Sequence, residues 1–268
     1  MTATVATRIN LRGRRALVTG ACGGIGRVIV HTLAELGADI ILVDRPESDL
    51  EMIAQSLRTA WGVRATCFPC DLELEVQRRS LIEYANLSDG GLAVLINNAA
   101  FVGTSTIEGW AVPFADQSIT AWRRALEVNL TAVFELCQGL HALLRRSDGA
   151  NIINVGSIYG LLGPDYSLYS GTSMANPAAY GASKGGLIQL TRWLATTMAP
   201  EVRVNSISPG GVLRGQPEAF VQRYSQRTPL GRMAAESDFQ GAIAYLASDL
   251  SSYVTGQNLS VDGGWGIW

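Results

Sequence analysis

The chain has 268 residues, 47% of them hydrophobic and 16% charged, with a net charge of −2. That length fits one large α/β domain with a sizeable core, and the near-neutral balance gives no electrostatic case for nucleic acid or an anionic membrane as partner. No apolar run reaches the roughly 18 residues of a membrane span, and the opening MTATVATRINLRGRR lacks the apolar centre of a signal peptide, so a cytoplasmic location is expected.

In chain order, RRALVTG (14–20) reads as a buried strand, and TGACGGIG, Thr19 to Gly26, follows it directly and opens a helix over 25–36. Glycines let such a turn bend sharply and approach a pyrophosphate, while the helix start supplies N–H donors and positive potential. This marks Gly20, Cys22, Gly24, Ile25 and Gly26 as dinucleotide-binding candidates. The second strand, 38–44, ends in Asp44, whose carboxylate suits an adenosine ribose and repels a 2′-phosphate. NAD is therefore expected over NADP, with the adjacent Arg45 the feature that leans toward NADP.

A helix over 47–60 and a strand over 63–69 come next; the strand carries Cys67, and Cys70 follows it in the order C-F-P-C. Cys22 and Cys137 are single, and His31 and His141 stand alone, so no second pair at ligand spacing is present and no metal site is expected. The thiols read as reduced and buried. A helix over 73–87, a strand over 92–98, a loop over 99–117, a helix over 118–146 and a strand over 150–157 follow. The connection 158–179 is long and rich in Gly, Ser, Pro and Tyr; beyond it lie a helix over 178–199, a strand over 202–208, a lid candidate over 209–235, a helix over 236–248 and a short strand over 258–264. This alternation predicts a single α/β domain over 1–268, a Rossmann-type doubly wound, mainly seven-stranded parallel sheet with helices on both faces. The segments 158–179 and 209–235 are expected to be its substrate loops, because ligands sit at the carboxyl ends of such strands.

In NPAAYGASKGG, Tyr180 and Lys184 are four positions apart and share a helix face. Alone, such a pair is more often two surface neighbours. The rest of the chain changes that weighing. The spacing Thr-Gly-x-x-x-Gly-x-Gly resembles the short-chain dehydrogenase/reductase family, and the resemblance runs over nearly the whole chain. Asp71-Leu72 is similar to the family's pair beside the adenine ring, and INNAA (96–100), with Asn98 among the cofactor positions, resembles its N-N-A-G. Asn129 in EVNLTAVF, Ser157 in NVGSIYG and Tyr180/Lys184 in YGASK match the active-site positions, and Pro209, Gly210 and Val212 continue the cofactor set, with VTGQNLSVDGGW at the end.

The resemblance implies an NAD-dependent oxidoreductase that transfers a hydride between nicotinamide and a secondary alcohol or ketone. Tyr180 would be the acid/base, Ser157 would hydrogen-bond the reacting oxygen, Lys184 would hold the nicotinamide ribose, and Asn129 would keep a water between Lys184 and solvent. It also implies a homotetramer or homodimer. A free phenol is a poor base at neutral pH, and a nearby ammonium with a positive nicotinamide would favour the phenolate; a lowering of about two pKa units needs roughly 2.7 kcal/mol.

Three departures from the family pattern stand out: Ala100 for glycine, Arg214 where a threonine is usual, and a longer Ser157-to-Tyr180 connection of 23 positions. The extra residues bring Tyr166, Tyr169, Asp165 and Ser170, which, with Tyr159, suit either a polyhydroxylated substrate such as a sugar or polyol or a subunit contact. Arg214 and Gln216 are candidates to meet a polar or anionic part of the substrate, and Trp265 and Trp268 are expected at an interface. Two competing readings are an NADPH-dependent 3-oxoacyl-carrier-protein reductase, which Asp44 argues against, and a non-catalytic cofactor-binding protein, which would usually have lost a catalytic residue.

Overall fold

The structure is a computed structural model that describes residues 4–87, 90–102 and 107–268. Seven parallel strands form one sheet: β1 (Arg15–Thr19), β2 (Asp39–Asp44), β3 (Ala65–Pro69), β4 (Val94–Asn97), β5 (Asn151–Val155), β6 (Arg203–Pro209) and β7 (Asn258–Val261), in the order β3-β2-β1-β4-β5-β6-β7. In β1 the pleat sends Ala16 and Val18 into the core on one face and Leu17 into the core on the other. Both faces are therefore covered, and the strands read as continuous apolar runs.

The first core includes Ile29 and Leu33 of α2 (Gly24–Glu35), Ile53 and Leu57 of α3 (Leu50–Trp61) and, further along the chain, Ile243 and Leu246. Local chemistry sets the ends of α3: Asp49 accepts from Met52 N at the start, and Gly62, at φ 68°, closes it in the left-handed region. The second core takes Leu81 of α4 (Glu75–Leu87) and Leu187 and Leu194 of the helix that carries Tyr180. A short α1 (Val5–Ile9), capped by Thr4, precedes β1 and was not expected from the sequence.

The helix expected over 118–146 is interrupted. It runs as α5 (Ile119–Leu126), a π-helical turn at Glu127–Thr131, α6 (Ala132–Gly139) and a last turn α7 (His141–Leu144). The buried Arg78 braces this region, paired with Glu127 at 2.7 Å and with Glu135 at 2.5 Å. α8 (Ala178–Met198) agrees with the expected helix, and α9 (Glu218–Arg227) makes the expected lid partly helical, before α10 (Gln240–Ala247). Residues 103–106 of the expected 99–117 loop lie outside the described residues.

The long 158–179 connection packs on α9. Arg223 donates to the carbonyls of Leu168 and Ser170, both at 2.8 Å, and Asp165 pairs with Arg227. Ile158, Leu168, Phe220, Tyr224, Met233 and Trp265 form a small core between them, with Tyr224 stacked on Trp265 at 5.7 Å. Trp265, expected at an interface, is 1% exposed within this cluster, whereas Trp268 is exposed.

Candidate active site

The strand order reverses between β1 and its neighbours β2 and β4, which opens a crevice at the carboxyl ends of the strands. A cleft of about 730 Å³ lies there. It is lined by Asp44 and Arg45 after β2, Asp71 and Leu72 after β3, Asn98 after β4, Ser157 after β5 and Pro209, Gly210 and Val212 at the end of β6, with Tyr180 and Lys184 from α8. Gly20, Cys22, Gly24, Ile25 and Gly26 form its floor-side turn.

Two glycines of that turn leave no room for a side chain. A Cβ on Gly26 would lie 1.9 Å from the Gly20 carbonyl oxygen, and Gly20 itself has φ 65° with the backbone of Ala99 2.8 Å from the place of a Cβ. Asn98 Nδ2 ties the turn to the β4 loop by donating to the carbonyls of Thr19 at 3.0 Å and Gly20 at 2.9 Å. Gly26→Ala is accordingly expected to destabilise the fold by about 1–3 kcal/mol, read as a lowered unfolding midpoint, and an unchanged midpoint would contradict this packing.

Asp44 fixes the rim. Its Oδ2 accepts from Cys22 N at 2.7 Å, and its Oδ1 accepts from Arg45 N at 2.8 Å and Ser48 Oγ at 3.2 Å. The Arg45 guanidinium is paired with Glu47 at 3.1 Å. Burial, followed by the Asp44 charge, pushes the Cys22 thiol up to about 11, so it lines the turn as a neutral group. All four cysteines are free thiols, and no metal-holding group of three or more His, Cys, Asp or Glu occurs among the described residues.

At the other end of the cleft, Lys184 is 1% exposed, and its Nζ donates to the Val155 carbonyl at 2.7 Å. Burial lowers its pKa to about 8. Tyr180 hydrogen-bonds the Ser157 side chain, and in the chain without cofactor burial raises its pKa, with the Ser157 hydrogen bond and the Arg214 charge opposing more weakly. Lys184 Nζ stands 5.9 Å from the Tyr180 ring centroid and is turned to a carbonyl, so burial outweighs the ammonium.

Asn129 lies in the π-helical turn, fully buried and off the cleft lining. Its Oδ1 accepts from Phe101 N at 2.6 Å, and its Nδ2 donates to Ser183 Oγ at 3.0 Å and to the Phe101 carbonyl at 3.2 Å. Both amide donors are used, so the side chain clamps the β4 loop to α8. A π turn opposite an active helix is a recurrent device for such placement.

Of the substrate candidates, Arg214 and Gln216 line the cleft, while Tyr159, Asp165, Tyr166, Tyr169 and Ser170 do not. The hydroxyls of Tyr159 and Tyr169 bond each other at 2.8 Å, and Tyr166 is largely exposed. Glu73 and Arg124, also on the lining, carry no sequence signal; they pair at 2.7 and 3.0 Å with Arg124 over the Phe101 ring. They are 51 positions apart, and no local pattern joins them.

A family model described as enoyl-(acyl carrier protein) reductase matches residues 20–266. The chain is 37% identical over 259 residues to the cis-4-hydroxycyclohexanecarboxylate dehydrogenase of Sinomonas cyclohexanicum, covering 94% of this chain and 96% of that one. Among solved structures it is similar to a gluconate 5-dehydrogenase from Burkholderia cenocepacia J2315 in complex with NADP and tartrate, with TM-score 0.86, 30% identity and coverage of 99% and 100%. It is also similar to a short-chain dehydrogenase from Leptospira borgpetersenii with bound NAD+, with TM-score 0.83, 31% identity and coverage of 100% and 97%.

Proposed function

The chain belongs to the short-chain dehydrogenase/reductase family of oxidoreductases, and from that premise we propose that it transfers a hydride between NAD and a small polar secondary alcohol or its ketone, with Tyr180 as acid and base. The observation that carries this reading is the meeting of Tyr180, Ser157 and Lys184 in one cleft with a turn whose Gly20 and Gly26 leave no room for a Cβ. A turn of that kind, with a carboxylate at the end of the next strand, fits a dinucleotide.

When bound, the nicotinamide supplies the hydride acceptor for oxidation and the donor for reduction. The residues of the chain do the rest. Ser157 donates to the reacting oxygen and stabilises the charge that develops on it. Tyr180, held as a phenol by burial, gives its proton to a carbonyl in reduction and takes one from a hydroxyl in oxidation. Lys184 offers an ammonium to the ribose hydroxyls beside Tyr180.

NAD is favoured because Asp44 holds a fixed negative charge at the β2 end, while Arg45 is spent on Glu47. Asp44→Ser is expected to shift the preference toward NADPH by about tenfold or more, since it removes a like charge from the place of a 2′-phosphate. Fluorescence titration with NADH and NADPH measures it, and an unchanged ratio would remove Asp44 from cofactor selection.

The similar proteins named for a hydroxy acid and for gluconate, a sugar acid, support a polar, hydroxylated substrate. The test is the near-ultraviolet absorbance of reduced cofactor, with purified protein, NAD+ or NADP+ and a panel of sugars, polyols, hydroxy acids and plain secondary alcohols. Turnover confined to NAD+ and the polar members supports the reading. Turnover with plain alcohols alone, or none with any alcohol or matching ketone, would sink it.

A further inference from the structure

Gly24 opens α2, and a Cβ placed on it would lie 2.6 Å from Glu236 Oε1 and 3.0 Å from an Arg214 guanidinium nitrogen. Those two side chains are themselves an ion pair, with Arg214 Nε donating to Glu236 Oε1 at 2.9 Å. Arg214 comes from the loop after β6, and Glu236 from the turn that leads into α10. A guanidinium and a carboxylate thus lie together against the first turn of a 12-residue helix whose N-cap, Gly23, offers no side chain of its own. Arg214 also reaches toward the reacting end, where its charge acts on Tyr180.

A helix N-terminus attracts an anion through its unpaired N–H groups and its dipole. Here the carboxylate beside that first turn is Glu236, and it is paired with a cation whose planar fork suits phosphate oxygens. The loop that bears Arg214 departs from the family pattern at this very residue, so the contact belongs to this chain's own sequence.

We propose that Arg214 is a ligand for the pyrophosphate of the dinucleotide, and that Glu236 occupies that anion position in the free protein. The proposal rests on the cofactor reading above. Glu236 and a pyrophosphate are like charges and do not share the position without repulsion. Entry of the pyrophosphate exchanges one anion for another on Arg214, and draws the 209–217 segment toward the cofactor while Glu236 turns to solvent.

Calorimetric titration with NADH and with ADP-ribose, which lacks the nicotinamide, tests this on the wild type, Arg214→Met and Glu236→Gln. Both positions are part-exposed, and circular dichroism verifies the fold of each variant. Arg214→Met is expected to weaken both ligands about tenfold, the loss of one charge-assisted contact, and Glu236→Gln to tighten both about threefold or more. Weaker binding of NADH alone would move Arg214 to the nicotinamide end and overturn the assignment. So would unchanged affinity in Arg214→Met. Weaker binding in Glu236→Gln would make Glu236 a support for Arg214 and overturn the competition. A wild type that binds neither ligand would bring down the cofactor reading itself, an outcome distinct from all of these.

Discussion

Tyr180→Phe is expected to lower turnover by about a thousandfold or more while leaving the affinity for NADH nearly unchanged. The substitution removes one hydroxyl and keeps the ring that fills the site, so the loss falls on proton transfer and not on folding. Ser157 stays in place through the Tyr159 N–H that its Oγ accepts at 3.1 Å. The pH dependence follows from the raised phenol pKa. Reduction uses the protonated form, which burial keeps populated through and above neutrality, so its rate should hold across that range. Oxidation uses the deprotonated form, so its rate should climb with pH. Steady-state rates in both directions, for the wild type and the variant, measure this. A reduction rate that climbs with pH, or a variant within about tenfold of the wild type, would remove Tyr180 from the proton transfer.

Lys184→Met is expected to abolish most activity and yet to stabilise the protein. Lys184 is buried at 1% exposure, its pKa is lowered to about 8, and its ammonium donates to the Val155 carbonyl. Between about pH 8 and the unfolded value of 10.5 the unfolded chain holds a proton that the folded chain has released, so wild-type stability rises with pH across that window. Below it, the folded protein carries the full cost of a buried charge. Methionine has a similar shape without that cost, and a gain of about 1–3 kcal/mol is expected at neutral pH, shrinking toward zero as pH climbs past 10.5. Urea denaturation of both proteins at several pH values reads the gain directly. A variant less stable at neutral pH would mean that the Val155 hydrogen bond outweighs desolvation. The trade of stability for function is the usual mark of an active-site charge.

Much of this molecule was legible in its sequence because the signals are local. The glycine turn, the carboxylate ending β2 and the i,i+4 pair of Tyr180 and Lys184 each declare themselves within a few residues, and the strand alternation orders them into one sheet. What the sequence withheld depends on contacts between distant segments. The π turn at Glu127–Thr131 breaks an otherwise continuous helical pattern and involves Arg78, about fifty positions away and buried between two glutamates. The extra residues before Tyr180 read as a substrate rim or a subunit contact, and their packing against α9 and Trp265 is not foreshadowed by any periodicity. The raised Tyr180 pKa of the chain without its cofactor is not legible in sequence, because a spacing of four says that an ammonium is near but not that it faces a carbonyl. Glu236 drew no attention at all, since its partner stands 22 positions earlier in a loop.

Hydride transfer between a carbinol carbon and nicotinamide can be followed through the hydrogen itself. An alcohol that turns over is deuterated at its carbinol carbon and oxidised with NAD+, and the reduced cofactor is analysed by mass spectrometry and proton NMR. The deuterium is expected on the nicotinamide ring of NADH, with none lost to water. Deuterium found in water, with an unlabelled cofactor, would contradict it.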